Sequence, residues 1–140
     1  MTTPSSNSPV WPKWRTWAGY GLTGLFAIFM LGASIAPKLL MADVATGTLV
    51  SLGWDADMAL RIGLIELGCL LLLLWRRSSI LGAVVTTGLL GGAMATQVRV
   101  DAPLLSHALF SLYLGLVMWG GLWLRDPALR AIFPLRRAQP

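Results

Sequence analysis

Four long apolar stretches, separated by short segments that hold most of the charges, dominate the sequence. They cover residues 17–37, 58–75, 78–98 and 104–124. A helix needs about 20 apolar residues to cross a bilayer, and each stretch is close to that length. Helices satisfy their backbone polar groups internally, as hydrocarbon requires. The pattern therefore predicts an all-α integral membrane protein, a four-helix bundle, that lies in the lipid bilayer.

Composition agrees with a membrane domain that fills nearly the whole chain. Of the 140 residues, 56% are hydrophobic and 12% are charged, and the mean hydropathy is +0.69. We expect residues 1–12, rich in Ser, Thr and Pro, to be a disordered tail and residues 13–137 to form the membrane domain. The first apolar stretch exceeds the length of a signal peptide core, so we expect it to be retained, with Pro37 ending its helix.

Basic residues are concentrated on one side of the four stretches. Eight of the 11 Lys and Arg residues lie before the first stretch, between the second and third, or after the fourth: Lys13, Arg15, Arg76, Arg77, Arg125, Arg130, Arg136 and Arg137. Six of the seven Trp residues fall near the same boundary: Trp11, Trp14, Trp17, Trp75, Trp119 and Trp123. Positive charge marks the cytoplasmic side of a membrane protein, and Trp prefers a membrane–water interface, so the two signals agree on this boundary. The sequence therefore predicts that both termini are cytoplasmic (N-in, C-in).

Two segments carry further structural signals. The connection over residues 38–57 is long and partly apolar, and we expect a short interfacial helix there. In the third stretch, Gly88 and Gly92 have the small-xxx-small spacing that lets helix backbones approach closely. We therefore expect a buried, tightly packed third helix. Packing within the bundle is favoured over a dimer face, and a homo-oligomer remains open.

Glu66 is the main candidate for function because it lies near the centre of the second stretch. A central acid costs roughly 2.5–3.5 kcal/mol on insertion scales, so Glu66 has to be protonated, hydrated or paired. One interpretation is a proton-handling or ligand-binding group. The other is a glutamate that fastens two helices, and both stay open at this point.

Possible partners of Glu66 lie toward the outer ends of all four stretches. They are Lys38, Arg61, Gln97, Arg99 and His107. Arg61 is five residues from Glu66 on the same helix, hence about 140° away around the axis, so a cation from another helix is the better partner. The lone His107 is most simply an interfacial residue.

Several function classes lack the residues that they need. The net charge of +5 would suit nucleic acid, but the apolar stretches leave no water-exposed basic face. Cys69 is the single cysteine, one histidine gives at most one axial haem ligand, and no metal-ligand spacing is present. No nucleophile elbow or other catalytic motif is found, so no catalytic or metal residue is assigned.

Short motifs in all four stretches resemble the DoxX-like family of bacterial four-helix membrane proteins. They are Ser34 with Lys38-Leu39, the run from Gly63 to Gly68 around Glu66, the run from Gly91 to Arg99, and Pro103-Leu104 with Ser106-His107. The resemblance covers about residues 21–137. It implies a four-helix bundle in the bacterial cytoplasmic (inner) membrane and an association with respiratory or redox chemistry. Members often carry His where this chain has Gln97, so a ligand role of that position is in doubt here.

Two functional hypotheses follow. The first is an accessory or small-ligand subunit of a membrane redox system, in which Glu66, Lys38, Arg99 and His107 contact a quinone-like molecule and another redox subunit is a candidate partner. The second is a non-catalytic scaffold or small-solute permease, in which the same groups hold helices together. If the chain serves an enzyme, the redox group comes from elsewhere.

Overall fold

The computed structural model describes residues 12–133, and all regular secondary structure in this range is helical. All of the expected tail over residues 1–12 except Pro12 lies outside the described residues, and so do Arg136 and Arg137. We number the helices α1 (Lys13–Leu39), α2 (Asp43–Ser51), α3 (Met58–Leu74), α4 (Ser79–Arg99), α5 (Leu104–Arg125) and α6 (Pro127–Ile132).

Four of these helices pack side by side in a closed ring. The main part of α1 packs along α5, α5 packs on α4, α4 packs on α3, and the last turns of α1 return to α3. Phe26, Leu73, Met118 and Leu122 are fully buried at the centre. Many large apolar side chains point outward instead, such as Trp17, Ile28 and Leu116, as lipid contact would require.

Three helices are long and apolar enough to cross a membrane: α1, α4 and α5. This agrees with three of the four predicted stretches. The second stretch is also a helix, α3, but it has 17 residues and extends about 25 Å at 1.5 Å per residue. That length is at the lower limit for a bilayer span.

The expectation that Pro37 ends the first helix is wrong. The helix continues to Leu39 because the turn before the proline is π-helical over Met30–Ile35, with the Ala36 N–H bonded to the Leu31 carbonyl, five residues back. Pro37 lacks an N–H and its ring collides with the carbonyl four residues earlier in a regular α-helix. The wider π turn accommodates that ring.

The predicted short helix in the first connection is confirmed as α2. Three helix ends on this side of the bundle close in the same way, through a residue with positive φ: Met41 after α1 (51°), Gly53 after α2 (80°) and Asp101 after α4 (51°). At the end of α1, Ala42 N–H bonds the Pro37 carbonyl at 2.9 Å and Met41 N–H bonds the Lys38 carbonyl at 3.2 Å. This is a Schellman motif.

Close helix packing involves other glycines than those expected. A Cβ at Gly88 or Gly92 would meet nothing within 4 Å, and both residues are exposed, so the interpretation of α4 as a buried helix packed through these two residues is wrong within this chain. A Cβ at Gly19 of α1 would instead lie 2.7 Å from the carbonyl oxygen of Gly121 in α5. Gly82 lies against the backbone of Leu72 and Leu73. Backbone contact therefore occurs near the end of the bundle where α1 and α4 begin.

Candidate functional site

Glu66, the central residue of α3, is bonded to two side chains from the end of α1. The Lys38 ammonium nitrogen lies 2.6 Å from Glu66 Oε1. Ser34 Oγ donates to the same carboxylate, at 3.1 Å from Oε1 and 3.0 Å from Oε2. Lys38 also donates to Ser34 Oγ at 2.6 Å. These three residues, called the polar cluster below, join α1 to α3.

The π-helical segment and a glycine bring the cluster together. Ser34 lies in the π segment and Lys38 follows four residues later, so both side chains face α3 from the same side of α1. On α3, Gly63 comes one turn before Glu66, and a Cβ there would lie 3.0 Å from Lys38 Cβ. The missing side chain lets the base of Lys38 lie directly on α3, from which its ammonium reaches Glu66.

The polar cluster is largely but not completely enclosed. The side chain of Glu66 is 9% exposed and that of Lys38 is 16% exposed. Hydrogen bonds between charged groups are short and about twice as strong as neutral ones, in keeping with the distances of 2.6 Å. Opposite charges at this range remove much of the cost of placing either charge in an apolar surrounding.

The donors of the cluster are not all used. An ammonium group carries three N–H donors, and Lys38 uses one on Ser34 and one on Glu66. Among the described residues no further acceptor is bonded to Lys38, so one N–H remains for another acceptor, such as a carbonyl oxygen or water. Glu66 Oε2 accepts only from Ser34 among the described residues. Chemically, the cluster can bind a small group with a carbonyl oxygen and can exchange a proton at the carboxylate.

Lys38 was correctly selected from the sequence as a partner of Glu66, whereas Ser34 entered only through the family resemblance. A hydroxyl four residues before a lysine, on the same helix, is the signal that could have identified it. The structure thus brings together Lys38 and Glu66 from the candidate residues and adds Ser34 to them.

The expected contact of Arg99 with Glu66 is not formed. Arg99 donates from Nη2 to the Leu52 carbonyl at 2.6 Å, and the same nitrogen would lie 3.1 Å from a Cβ at Gly53. The guanidinium therefore caps the last turn of α2, where the backbone carbonyl groups have no partners within the helix. Arg99 fastens α2 to the end of α4.

The remaining candidates also lie apart from the polar cluster. Within residues 12–133, Arg61, Gln97 and His107 form no hydrogen bond or ion pair with Glu66. His107 is exposed in a π-helical turn at the start of α5, and its Nδ1 lies 2.8 Å from Ser106 Oγ. For Arg61 this agrees with the expectation that it is a poor direct partner of Glu66. The single polar layer expected from all four helices is replaced by one cluster between two of them.

No group of three or more His, Cys, Asp or Glu side chains that could hold a metal ion occurs in the described part of the chain.

A comparison with family models matches residues 21–121 to the model of the DoxX-like family. The matched range includes the polar cluster, the whole of α3 and α4, and most of α1 and α5. No curated protein and no solved structure matches the chain significantly.

Proposed function

Because the chain belongs to the DoxX-like family, we propose that it is an accessory subunit of a membrane redox system, and that its polar cluster binds the head of a quinone-like molecule. The observation that carries the proposal is the Lys38–Glu66 pair with Ser34, placed between two helices with one ammonium N–H still available. A quinone head offers carbonyl oxygens, which accept hydrogen bonds from such donors.

The proposal includes four spans with both ends in the cytoplasm of a bacterial cell, α3 being the fourth span. Charge supports this orientation: Arg76 and Arg77 follow α3, while Arg125 ends α5. Arg125 Nη2 lies 3.4 Å from the Leu73 carbonyl, so the ends of α3 and α5 meet on the basic side of the bundle. A basic side is retained in the cytoplasm.

In this proposal each residue of the cluster has a separate role. Lys38 donates the remaining N–H to a carbonyl oxygen of the ligand, Glu66 holds the ammonium in position, and Ser34 fixes the carboxylate. A quinone would supply the electron-carrying ring, and the protein would supply binding and orientation. The partial exposure of Lys38, 16% of its side chain, gives the ammonium access to a ligand.

A membrane scaffold is the second candidate function, and one observation favours it. Every buried side-chain nitrogen or oxygen within residues 12–133 has a hydrogen-bond partner. No buried polar atom of the cluster therefore requires a ligand as its partner, and the cluster can act as a fastener alone.

Binding measurements separate the two functions. The protein, purified in mild detergent, is titrated with a short-chain quinone by calorimetry, in parallel with Lys38→Gln and with Arg61→Gln as a control that removes an exposed cation of α3. Since a hydrogen bond from a charged donor is worth about 1.5–3 kcal/mol, Lys38→Gln should weaken binding by roughly ten- to a hundred-fold, and Arg61→Gln should not. If the unmodified protein does not bind quinone, and Lys38→Gln only lowers the melting temperature, the scaffold function is the correct one.

A further inference from the structure

A cavity lies between α4 and α5, away from the polar cluster. It has a volume of about 660 Å³, within the range of small-molecule sites in proteins. Leu90 and Met94 of α4 face Leu112 and Leu116 of α5 across it, and Gly91 and Gly115 leave its walls open. A Cβ at Gly91 would meet nothing within 4 Å, and one at Gly115 only Leu90 Cδ1 at 3.9 Å. We call this cavity the α4–α5 groove.

Aromatic side chains close one end of the α4–α5 groove. The ring of Phe133 stacks on Trp119 at 5.2 Å with an interplanar angle of 19°. Trp123 Nε1 donates to the Phe133 carbonyl at 3.1 Å, and Trp119 Nε1 donates to Thr87 Oγ1 at 2.9 Å. These bonds hold the aromatic wall in place and use the indole N–H donors that line the groove.

The walls of the groove carry no charged side chain among the described residues. An occupant with a charged head in the groove would be left without a partner, so the wall chemistry selects hydrocarbon. The lining on α5 runs from Ser111 to Trp123, about 18 Å at 1.5 Å per residue, which is close to half of a bilayer core of about 30 Å. An extended acyl chain of a lipid in one leaflet has about this length and runs in the same direction, along the helices.

The aromatic end of the groove adjoins positive charge. Arg130 Nη1 lies 3.1 Å from the Trp123 carbonyl and 2.6 Å from the Leu124 carbonyl, so a guanidinium lies beside this end. A phosphate is the group of a membrane lipid that complements it.

We propose that the α4–α5 groove binds one acyl chain of a phospholipid, whose phosphate lies on the Arg130 side and whose chain runs past Trp119 toward Met94. The inference rests on membrane insertion but not on quinone binding, because the groove and the polar cluster share no residue.

Photo-crosslinking tests the inference on the full-length protein in lipid nanodiscs. The probe is a phospholipid with a diazirine in one acyl chain, and adducts are mapped by mass spectrometry. Gly91→Leu fills the groove with a side chain, Gly115→Val does the same from the other wall, and Gly68→Leu is the matched control on an exposed face of α3 where a Cβ would also meet nothing within 4 Å. Melting temperatures verify that each variant is folded.

Adducts should concentrate on Leu90, Met94, Leu112 and Leu116. Gly91→Leu and Gly115→Val should each reduce them roughly ten-fold, as expected for the loss of about two buried methylene contacts, whereas Gly68→Leu should leave them unchanged. Adducts spread evenly over all exposed leucines, or unaffected by both groove variants, would overturn the inference. So would stronger competition by a free fatty acid than by unlabelled phospholipid, or a dimer in native mass spectra that covers the groove with a second copy.

Discussion

Lys38 and Glu66, 28 residues apart in the sequence, form a 2.6 Å ion pair that connects the end of α1 to the middle of α3. The contact agrees with the paired state among those that the sequence leaves open for Glu66. Several consequences of this contact and of the helix packing can be measured.

Removing the charge of Glu66 should destabilise the protein. In Glu66→Gln the Lys38 ammonium loses its counter-charge, and we expect a loss of about 1–3 kcal/mol in the free energy of unfolding in detergent. The double variant Lys38→Met, Glu66→Met should recover part of that loss, because it leaves no unpaired charge. Equal stability of Glu66→Gln and the unmodified protein would mean that the carboxyl group is neutral.

Gly63 should matter more than Gly68, although both lie on α3 within the same motif. Gly63→Ala places a methyl group 3.0 Å from Lys38 Cβ, and such overpacking costs about 1–3 kcal/mol. Gly68→Ala has free space and gains helix propensity, up to about 1 kcal/mol. Thermal unfolding of both variants should therefore place Gly63→Ala clearly below Gly68→Ala, and the reverse order would exclude close contact of Lys38 with α3.

The backbone contact between α1 and α5 predicts that substitution of Gly121 destabilises the protein, whereas the sequence spacing alone would predict this for Gly88 and Gly92. Gly121→Leu should strongly lower the melting temperature, because a Cβ there already lies 2.8 Å from Thr23 Oγ1 and helices in lipid depend on close approach. Gly88→Leu and Gly92→Leu should be tolerated in the monomer. If Gly88→Leu and Gly92→Leu lower the melting temperature as much as Gly121→Leu does, the face of α4 that carries Gly88 and Gly92 is covered in the folded protein.

The positive φ of Met41, 51°, offers a route to higher stability. A left-handed conformation costs a residue with a side chain about 1–2 kcal/mol, and glycine avoids this cost. Met41→Gly should therefore raise the free energy of unfolding by about 1 kcal/mol, whereas Met41→Ala, which keeps a Cβ, should not. A gain in both variants would point to the side chain of Met41 and not to its backbone.

Reporter fusions test the proposed orientation. A reporter that is active only in the cytoplasm should give signal when fused to the C-terminus, and a reporter that is active only outside should give signal when inserted at Thr46 in α2. Eight basic residues on one side of the apolar stretches are the reason for this expectation. A silent cytoplasmic reporter on a stably inserted protein would contradict it.

The helices could be predicted from the sequence because hydrocarbon leaves the backbone few alternatives, and the short helix α2 followed from its apolar residues. The partner of Glu66 could be predicted only in part, since the sequence offers Lys38 as one of five candidates and favours a cation from another helix. The hydrogen bond from Arg99 to the Leu52 carbonyl could not be predicted, because a long arginine side chain can reach several acceptors and every residue has a backbone carbonyl. The prediction that Gly88 and Gly92 pack against a neighbouring helix was wrong for a similar reason. Small-xxx-small spacing identifies one face of a helix, but whether that face contacts a neighbour depends on the arrangement of all four helices.

The π-helical segment of α1 also determines which mutations the chain can accept. It holds one residue more than regular α-helical turns of the same length would, so deletion of one residue between Met30 and Ile35 would let the segment close as an ordinary α-helix while Phe26 and Lys38 on either side kept about the same directions. The core contact of Phe26 and the ion pair of Lys38 would then be kept, but Pro37 would lie in a regular helix, where its ring collides with the carbonyl four residues earlier. Single-residue deletions in this short window should therefore be acceptable to natural selection only when Pro37 is replaced as well, so that the length of this segment and its proline are inherited together.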